Sequence, residues 1–150
     1  MVDILVLSLS SPLQIGIYQE GELVQSHSSD DMSSEALPKM MKSLLKSFSC
    51  KGLYFAKGPG SFMAIKVTYL FLQTLHLVKK IPLYASDGFV FNENKPIKAM
   101  GKCYFVKNSN KEIETKLLEE APFAPFVLPK KLPYEEFTDD TEPLYHLPAV

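Results

Sequence analysis

The sequence predicts an α/β fold: a mixed sheet in the order βββαβαβ with helices packed on it. Three observations predict this class. Three short strand-like segments stand in a row at the N-terminus, over residues 4–9, 14–19 and 22–25. Two segments with helical spacing follow, over residues 37–48 and from Phe62 to about Lys80. Each is followed by a short apolar run suited to a parallel strand, residues 53–56 and 81–85.

Ile4-Leu5-Val6-Leu7-Ser8-Leu9 is almost continuously apolar, as a central strand covered on both faces is. The next two strands are joined by Glu20-Gly21, a two-residue hairpin connection, so the first three form a meander. The polar stretch 26–34 reads as a loop. Leu37, Met40, Met41, Leu44, Leu45 and Phe48 then recur at helical spacing, with Lys39, Lys42, Ser43 and Lys46 on a solvated side. Pro38 fits the first turn of that helix, where its missing N–H costs nothing. Pro82 stands at the start of the last strand, where no ladder donor is lost.

Gly58-Pro59-Gly60-Ser61-Phe62 is the corner between the fourth strand and the long helix. Two glycines around a proline hold backbone angles that other residues avoid. Ser61 stands where it would accept a hydrogen bond from the first free helical amides. The same backbone chemistry would also suit an anion cradle, so the corner has a structural and a ligand-binding reading.

A chain of 150 residues with 46% hydrophobic content suits one globular domain with a real core. Its 16 basic and 17 acidic residues give a net charge of −1, which argues against an independent, polyelectrolyte nucleic-acid binder. Cys50 and Cys103 lie far apart without a Cys-x-x-Cys or a neighbouring His, so neither a zinc site nor a disulfide framework is indicated. A reducing, cytoplasmic location is expected. Asp3 stands where a signal peptide would be basic, and no apolar run reaches membrane-spanning length.

On a wheel of ~100° per residue, Lys66, Gln73 and Lys80 of the long helix share one narrow stripe, with Tyr69 and His76 beside it. Met63, Val67, Leu70, Phe71, Leu75, Leu77 and Val78 span an arc wider than a core stripe, while Ile65 and Leu72 lie beyond the polar strip. Either the shorter helix covers this excess or another chain does. The expected partner interface is Met40, Leu44, Met63, Lys66, Tyr69, Leu70 and Gln73.

The βββαβαβ order resembles the ribonuclease H-like lobe shared by the actin-like ATPase superfamily. Residues Ala56 to Lys66 resemble the signature of the TsaB (YeaZ) family, Gly-Pro-Gly-Ser-Phe-Thr-Gly-Leu-Arg at the head of a long helix. Other pieces follow in the family's order: the opening strand Ile4 to Ser11, Leu37-Pro38, Ile81-Pro82-Leu83, a Met100-Gly101-Lys102-Cys103-Tyr104 strand, and a closing Pro143-Leu144-Tyr145. Only the central motif is highly specific.

The resemblance implies a non-catalytic subunit that supports threonylcarbamoyl transfer to adenosine 37 of tRNA. Such a subunit docks its helices on the catalytic relative TsaD, with the ATPase TsaE joining the assembly and a homodimer through the same helices as a further possibility. It implies that tRNA is met indirectly, that no cofactor is held firmly by this chain alone, and that ATP and Mg²⁺ belong to the partner subunits. The family's Asp-Thr-Ser-like first loop reads Ser8-Leu9-Ser10 here, without the carboxylate that Mg²⁺ prefers. His27, His76 and His146 lack the His-x-x-x-His spacing of the catalytic relative's metal site, and His76 reads as an edge or interface residue. Ser61, Ser86 and Cys103 lack the setting of an activated nucleophile. Met63 and Ala64 replace the family's Thr and Gly, and Lys66 its Arg, which keeps charge but loses bidentate geometry.

Residues 1–100 are expected to form the lobe, and 101–150 a reduced second lobe with a Pro-rich tail. A hairpin is predicted across Asn108-Ser109-Asn110. Pro122, Pro125, Pro129, Pro133, Pro143 and Pro148 make the last thirty or so residues an extended strap, with Phe123, Phe126, Tyr134 and Phe137 lying along the lobe or a partner. A clefted ATP site between two full lobes is not expected. The alternatives are a superfamily enzyme, either an ATPase or kinase or a glycoprotease-like peptidase, and a self-associating structural module.

Overall fold

The computed structural model describes residues 1–120 and 124–144. Its first sheet holds β1 (Val2–Leu7), β2 (Leu13–Gln19), β3 (Glu22–Ser29), β4 (Cys50–Ala56) and β5 (Leu83–Ser86), in the spatial order β3-β2-β1-β4-β5. The meander β1-β2-β3 is antiparallel, whereas β4 pairs parallel with both β1 and β5. Helix α1 (Ser33–Ser47) precedes β4, and α2 (Phe62–Lys79) makes the crossover that parallel β4 and β5 require. The observed order is the predicted βββαβαβ.

Every residue of β1 is buried, because the sheet is covered on both faces. Side chains alternate along a strand. Val2, Ile4 and Val6 therefore join Leu37, Met41 and Leu72 of the helices in one core, while Leu5 and Leu7 join Tyr18, Tyr54, Leu128 and Leu132 in another.

Several boundaries differ from expectation, two of them by four residues. The third strand continues to Ser29, where a loop is predicted from residue 26. Ser26, His27 and Ser28 pair with Gly16, Ile15 and Gln14. This is an edge strand held by its backbone ladder, so its polar side chains carry no burial pattern to read. Helix α1 begins at Ser33, four residues early, which puts Pro38 inside the helix rather than in its first turn.

A second, antiparallel sheet has the order β6-β7-β8, from β6 (Ile97–Met100), β7 (Cys103–Lys107) and β8 (Ile113–Leu117). The predicted hairpin across residues 108–110 is present, and Asn108 Oδ1 accepts from the amides of Asn110 and Glu112. The stretch Met100 to Tyr104 is not one strand. Gly101, at φ +56°, turns the chain between β6 and β7, so the expected division after residue 100 falls inside a hairpin.

From residue 124 the chain straps across the first sheet. Backbone bridges tie Lys131 to Glu22 and Thr138 to Ala85 at opposite edges. Between them Leu128 and Leu132 are buried, and Phe137 packs edge-on to Tyr54 with ring centres 5.0 Å apart. Tyr18 donates its hydroxyl to the carbonyl of Pro129 at 2.7 Å. Tyr134 donates to Oδ2 of the buried Asp3 at 2.5 Å. The expected strap along the lobe is what the described residues form; Pro122, Phe123, Tyr145, His146 and Pro148 lie outside them.

Candidate functional site

The glycine corner is clamped from three sides. Gly58 has φ +132°, which only glycine adopts without strain, and its carbonyl accepts from Gly88 N–H at 2.8 Å. Gly60 is required by contact: a Cβ there would stand 2.8 Å from Leu9 Cβ and 2.9 Å from its carbonyl oxygen. Lys57 donates its amide to Ser86, accepts from Leu144 and reaches the carbonyl of Asp140 with Nζ at 2.9 Å. Pro59 is buried and has no amide hydrogen.

Ser61 holds the N-cap position, yet its side chain makes no capping hydrogen bond. Its amide donates to the carbonyl of Leu9 at 3.0 Å and its carbonyl accepts from Ile65. The predicted hydroxyl cap is corrected on this point: the residue is tied through its backbone to the first loop. That also engages an amide which an anion cradle would need free.

Beyond the corner, α2 buries Ile65, Thr68 and Leu72. The core stripe is therefore the side that the wheel set beyond the polar strip. Tyr69, Phe71 and Leu75 pack half-buried against the same core. The rest of the wide apolar arc lies outward, with Met63 63% exposed, Leu70 53%, Leu77 65% and Val78 72%. Of the expected interface residues, Met63, Lys66, Leu70 and Gln73 share this outward side of α2, Gln73 half-buried and the others exposed. Leu44 is corrected to a core position, 6% exposed, and Met40 packs half-buried against that core.

A groove of about 420 Å³ separates the two helices on this side. Pro38, Leu45, Phe71 and Leu75 line it, with Lys42, Lys46 and Lys79 around them. The wheel included Phe71 and Leu75 in its broad arc, but only the placement of α1 beside α2 made them walls of a groove.

Two clefts flank the first loop. One, of about 290 Å³, lies among Ser8, Ser10, Asp30, Asp31, Ser33 and Ser61. Ser8 and Thr68 share a hydrogen bond of 2.6 Å in the buried wall behind it. The other, of about 510 Å³, opens between the two sheets beside Gln14, Asn92, Tyr104 and Phe126, and Lys98 is the one charged residue of its described lining. The histidines stand apart: His76 Nδ1 contacts the Ile81 carbonyl at 2.7 Å, and His27 pairs with Gln25. Among the described residues no three His, Cys, Asp or Glu side chains gather as a metal site, and no helix is long and apolar enough to cross a membrane.

No family model and no curated protein matches the chain. Solved structures do. This chain shares the fold of YeaZ from Pseudomonas aeruginosa, with a TM-score of 0.59 at 13% identity over 80% of this chain and 66% of that one. It is equally similar to an uncharacterized protein with similarity to peptidase YeaZ from Pseudomonas aeruginosa, with a TM-score of 0.62 at 14% identity over 77% of this chain and 63% of that one. The class so defined is a mixed α/β protein of YeaZ-like fold. The chain spans about two thirds of the length of the structures it matches. That likeness, at 13–14% identity, is one of fold.

Proposed function

We propose that this chain is a non-catalytic docking subunit of a cytoplasmic tRNA-modifying assembly, supporting threonylcarbamoyl transfer to adenosine 37 by a TsaD-like enzyme. One observation carries the reading. Helix α2 completes its share of the core with one side and still presents Met63, Leu70 and Leu77 to solvent on the other. The glycine corner then serves as the fixed mount of that helix. In this reading the first sheet and its two helices are a ribonuclease H-like lobe, ATP and Mg²⁺ stay with the TsaD-like and TsaE-like partners, and tRNA is met only through them.

The peptidase in the name of a structural neighbour suggests the competing enzyme reading. Against it, the buried hydroxyls of Ser8 and Thr68 bond to each other, and the ring nitrogens of His27 and His76 that form hydrogen bonds do so with Gln25 and Ile81 rather than with a serine or cysteine. The test is co-purification with the TsaD-like and TsaE-like proteins of the same cell, followed by threonylcarbamoyl transfer with and without this chain. Transfer that depends on the chain is expected. Hydrolysis of ATP or a peptide by the purified chain alone would overturn the proposal.

A further inference from the structure

The edge of a sheet presents a row of backbone N–H and C=O groups that another strand can pair with. At the β5 edge the strap takes that place: Ala85 and Thr138 exchange amide-to-carbonyl bonds of 2.9 and 3.0 Å. At the β3 edge the strap covers only the start, where the Lys130 carbonyl accepts from the Leu23 amide at 2.9 Å and Lys131 bridges to Glu22. The ladder with β2 then skips Val24, a bulge that bends the edge. Beyond it, Gln25-Ser26-His27-Ser28-Ser29 pairs among the described residues with β2 alone. This second half of the edge has no Lys, Glu, Asp, Pro or bulge, the devices that keep an edge from pairing. Gln25, Ser26 and Ser28 are exposed, and His27 and Ser29 half-buried.

We infer that this open half of β3 pairs antiparallel with the same stretch of a second copy, joining two five-stranded sheets across a two-fold axis. Laid on itself, the stretch sets Gln25 opposite Ser29 and Ser26 opposite Ser28, so no like charges meet along it. The second copy's chain, running on past Ser29, comes level with Val24 and Leu23, where the strap already holds the edge. There its Asp30 and Asp31 come up against Lys130 and Lys131, and symmetry repeats the contact at the other end. All four side chains are exposed, and among the described residues none forms an ion pair within its own chain. Glu22 and Glu20 stand one residue and more beyond Leu23, so the strap lysines are met first. The joined sheet then ends on two β5 strands, each covered by its strap, and association stops at two copies. Helix α2 packs beside β5, at the far end of the sheet, so its outward side stays free for the docking proposed above.

The test is analytical ultracentrifugation of the full chain from about 1 μM to about 0.1 mM, where a reversible dimer is expected. Ser26→Lys with Ser28→Lys sets like charges opposite each other, beside the Lys39 that already flanks His27. That pair, at exposed positions, should weaken the dimer at least ~10-fold while circular dichroism stays unchanged. Lys130→Glu with Lys131→Glu should weaken it as well, and adding Asp30→Lys with Asp31→Lys to the same chain should restore it. Amide hydrogen exchange at residues 25–29 should slow as the dimer forms. A chain that stays monomeric throughout would overturn the inference. So would a dimer that Leu77→Glu dissolves and the Ser26, Ser28 pair leaves intact, because that dimer would use α2. None of these measurements involves tRNA or transfer, so failure here is distinct from failure of the docking reading.

Discussion

The two faces of the first sheet are covered by different means. One face is closed by α1 and α2 over an aliphatic core of Ile4, Val6, Leu37, Met41 and Leu72. The other is closed by an irregular strap over an aromatic core that includes Tyr18, Tyr54, Phe91 and Phe137. A helix satisfies its own backbone, so the sheet beneath it needs to supply only apolar surface. A strap does not. Its carbonyls at Phe126 and Pro129 are met by Gln14 and Tyr18, and its Tyr134 hydroxyl by Asp3. That difference explains why buried polar side chains of β1 and β2 point to the strap side.

The comparison is broken most forcefully on the helix face. Leu72→Ala, at 0% exposure, is expected to cost ~2–5 kcal/mol in denaturant unfolding. The same truncation two residues earlier, Leu70→Ala, should stay within ~0.5 kcal/mol because that side chain is half in solvent. Equal losses would place Leu70 in the core and remove the docking face.

On the strap face, Leu132→Ala should cost ~2–3 kcal/mol, with hydrogen exchange accelerated in residues 124–144 before it changes in α1. Uniform acceleration would show that the strap and the helices open as one unit.

A pH series sharpens the contrast further. Burial first, and then the bond to Asp3, raise Tyr134 from its ordinary 10.0 to about 12. Burial is also the main cause of the rise of Cys50 from 9.0 to about 11. In both cases the folded state holds the proton more tightly than the unfolded chain. Their stabilisation is complete below pH 9 and is lost as pH climbs from about 9 to about 12. Tyr134→Phe should cost about 1 kcal/mol at neutral pH and make the alkaline decline between pH 10 and 12 shallower, read from unfolding midpoints against pH. An unchanged slope would mean that Tyr134 is not held as described.

An effect as small as that of Leu70→Ala is expected at Ser61. Its hydroxyl caps nothing, so Ser61→Ala should fall within ~0.5 kcal/mol, where a working cap would cost ~1. A loss of that larger size would restore the hydroxyl as a cap.

Much of this architecture was legible in the residues. The apolar run at 4–9 gave a strand covered on both faces, and Glu20-Gly21 and Asn108 to Asn110 gave their hairpins, because local chemistry leaves few alternatives there. The glycine corner was legible too, but its capping serine was not. Whether Ser61 bonds through its hydroxyl or its amide depends on Leu9, which lies about fifty positions away. The end of β3 was hidden because an edge strand needs a neighbour's backbone, not a pattern of its own.

The same division holds for the molecule as a whole. By itself the sequence determined the α/β class, the element order, the corner before α2 and the excess of apolar surface on that helix, all set by periodicities of two and 3.6. Only the tertiary structure decided which side of α2 is core, that Leu44 turns inward, and that the strap takes the second face of the sheet. A helix that is apolar nearly all round carries no internal signal of which side faces in. The packing of α1 and of β5 against it supplies that choice.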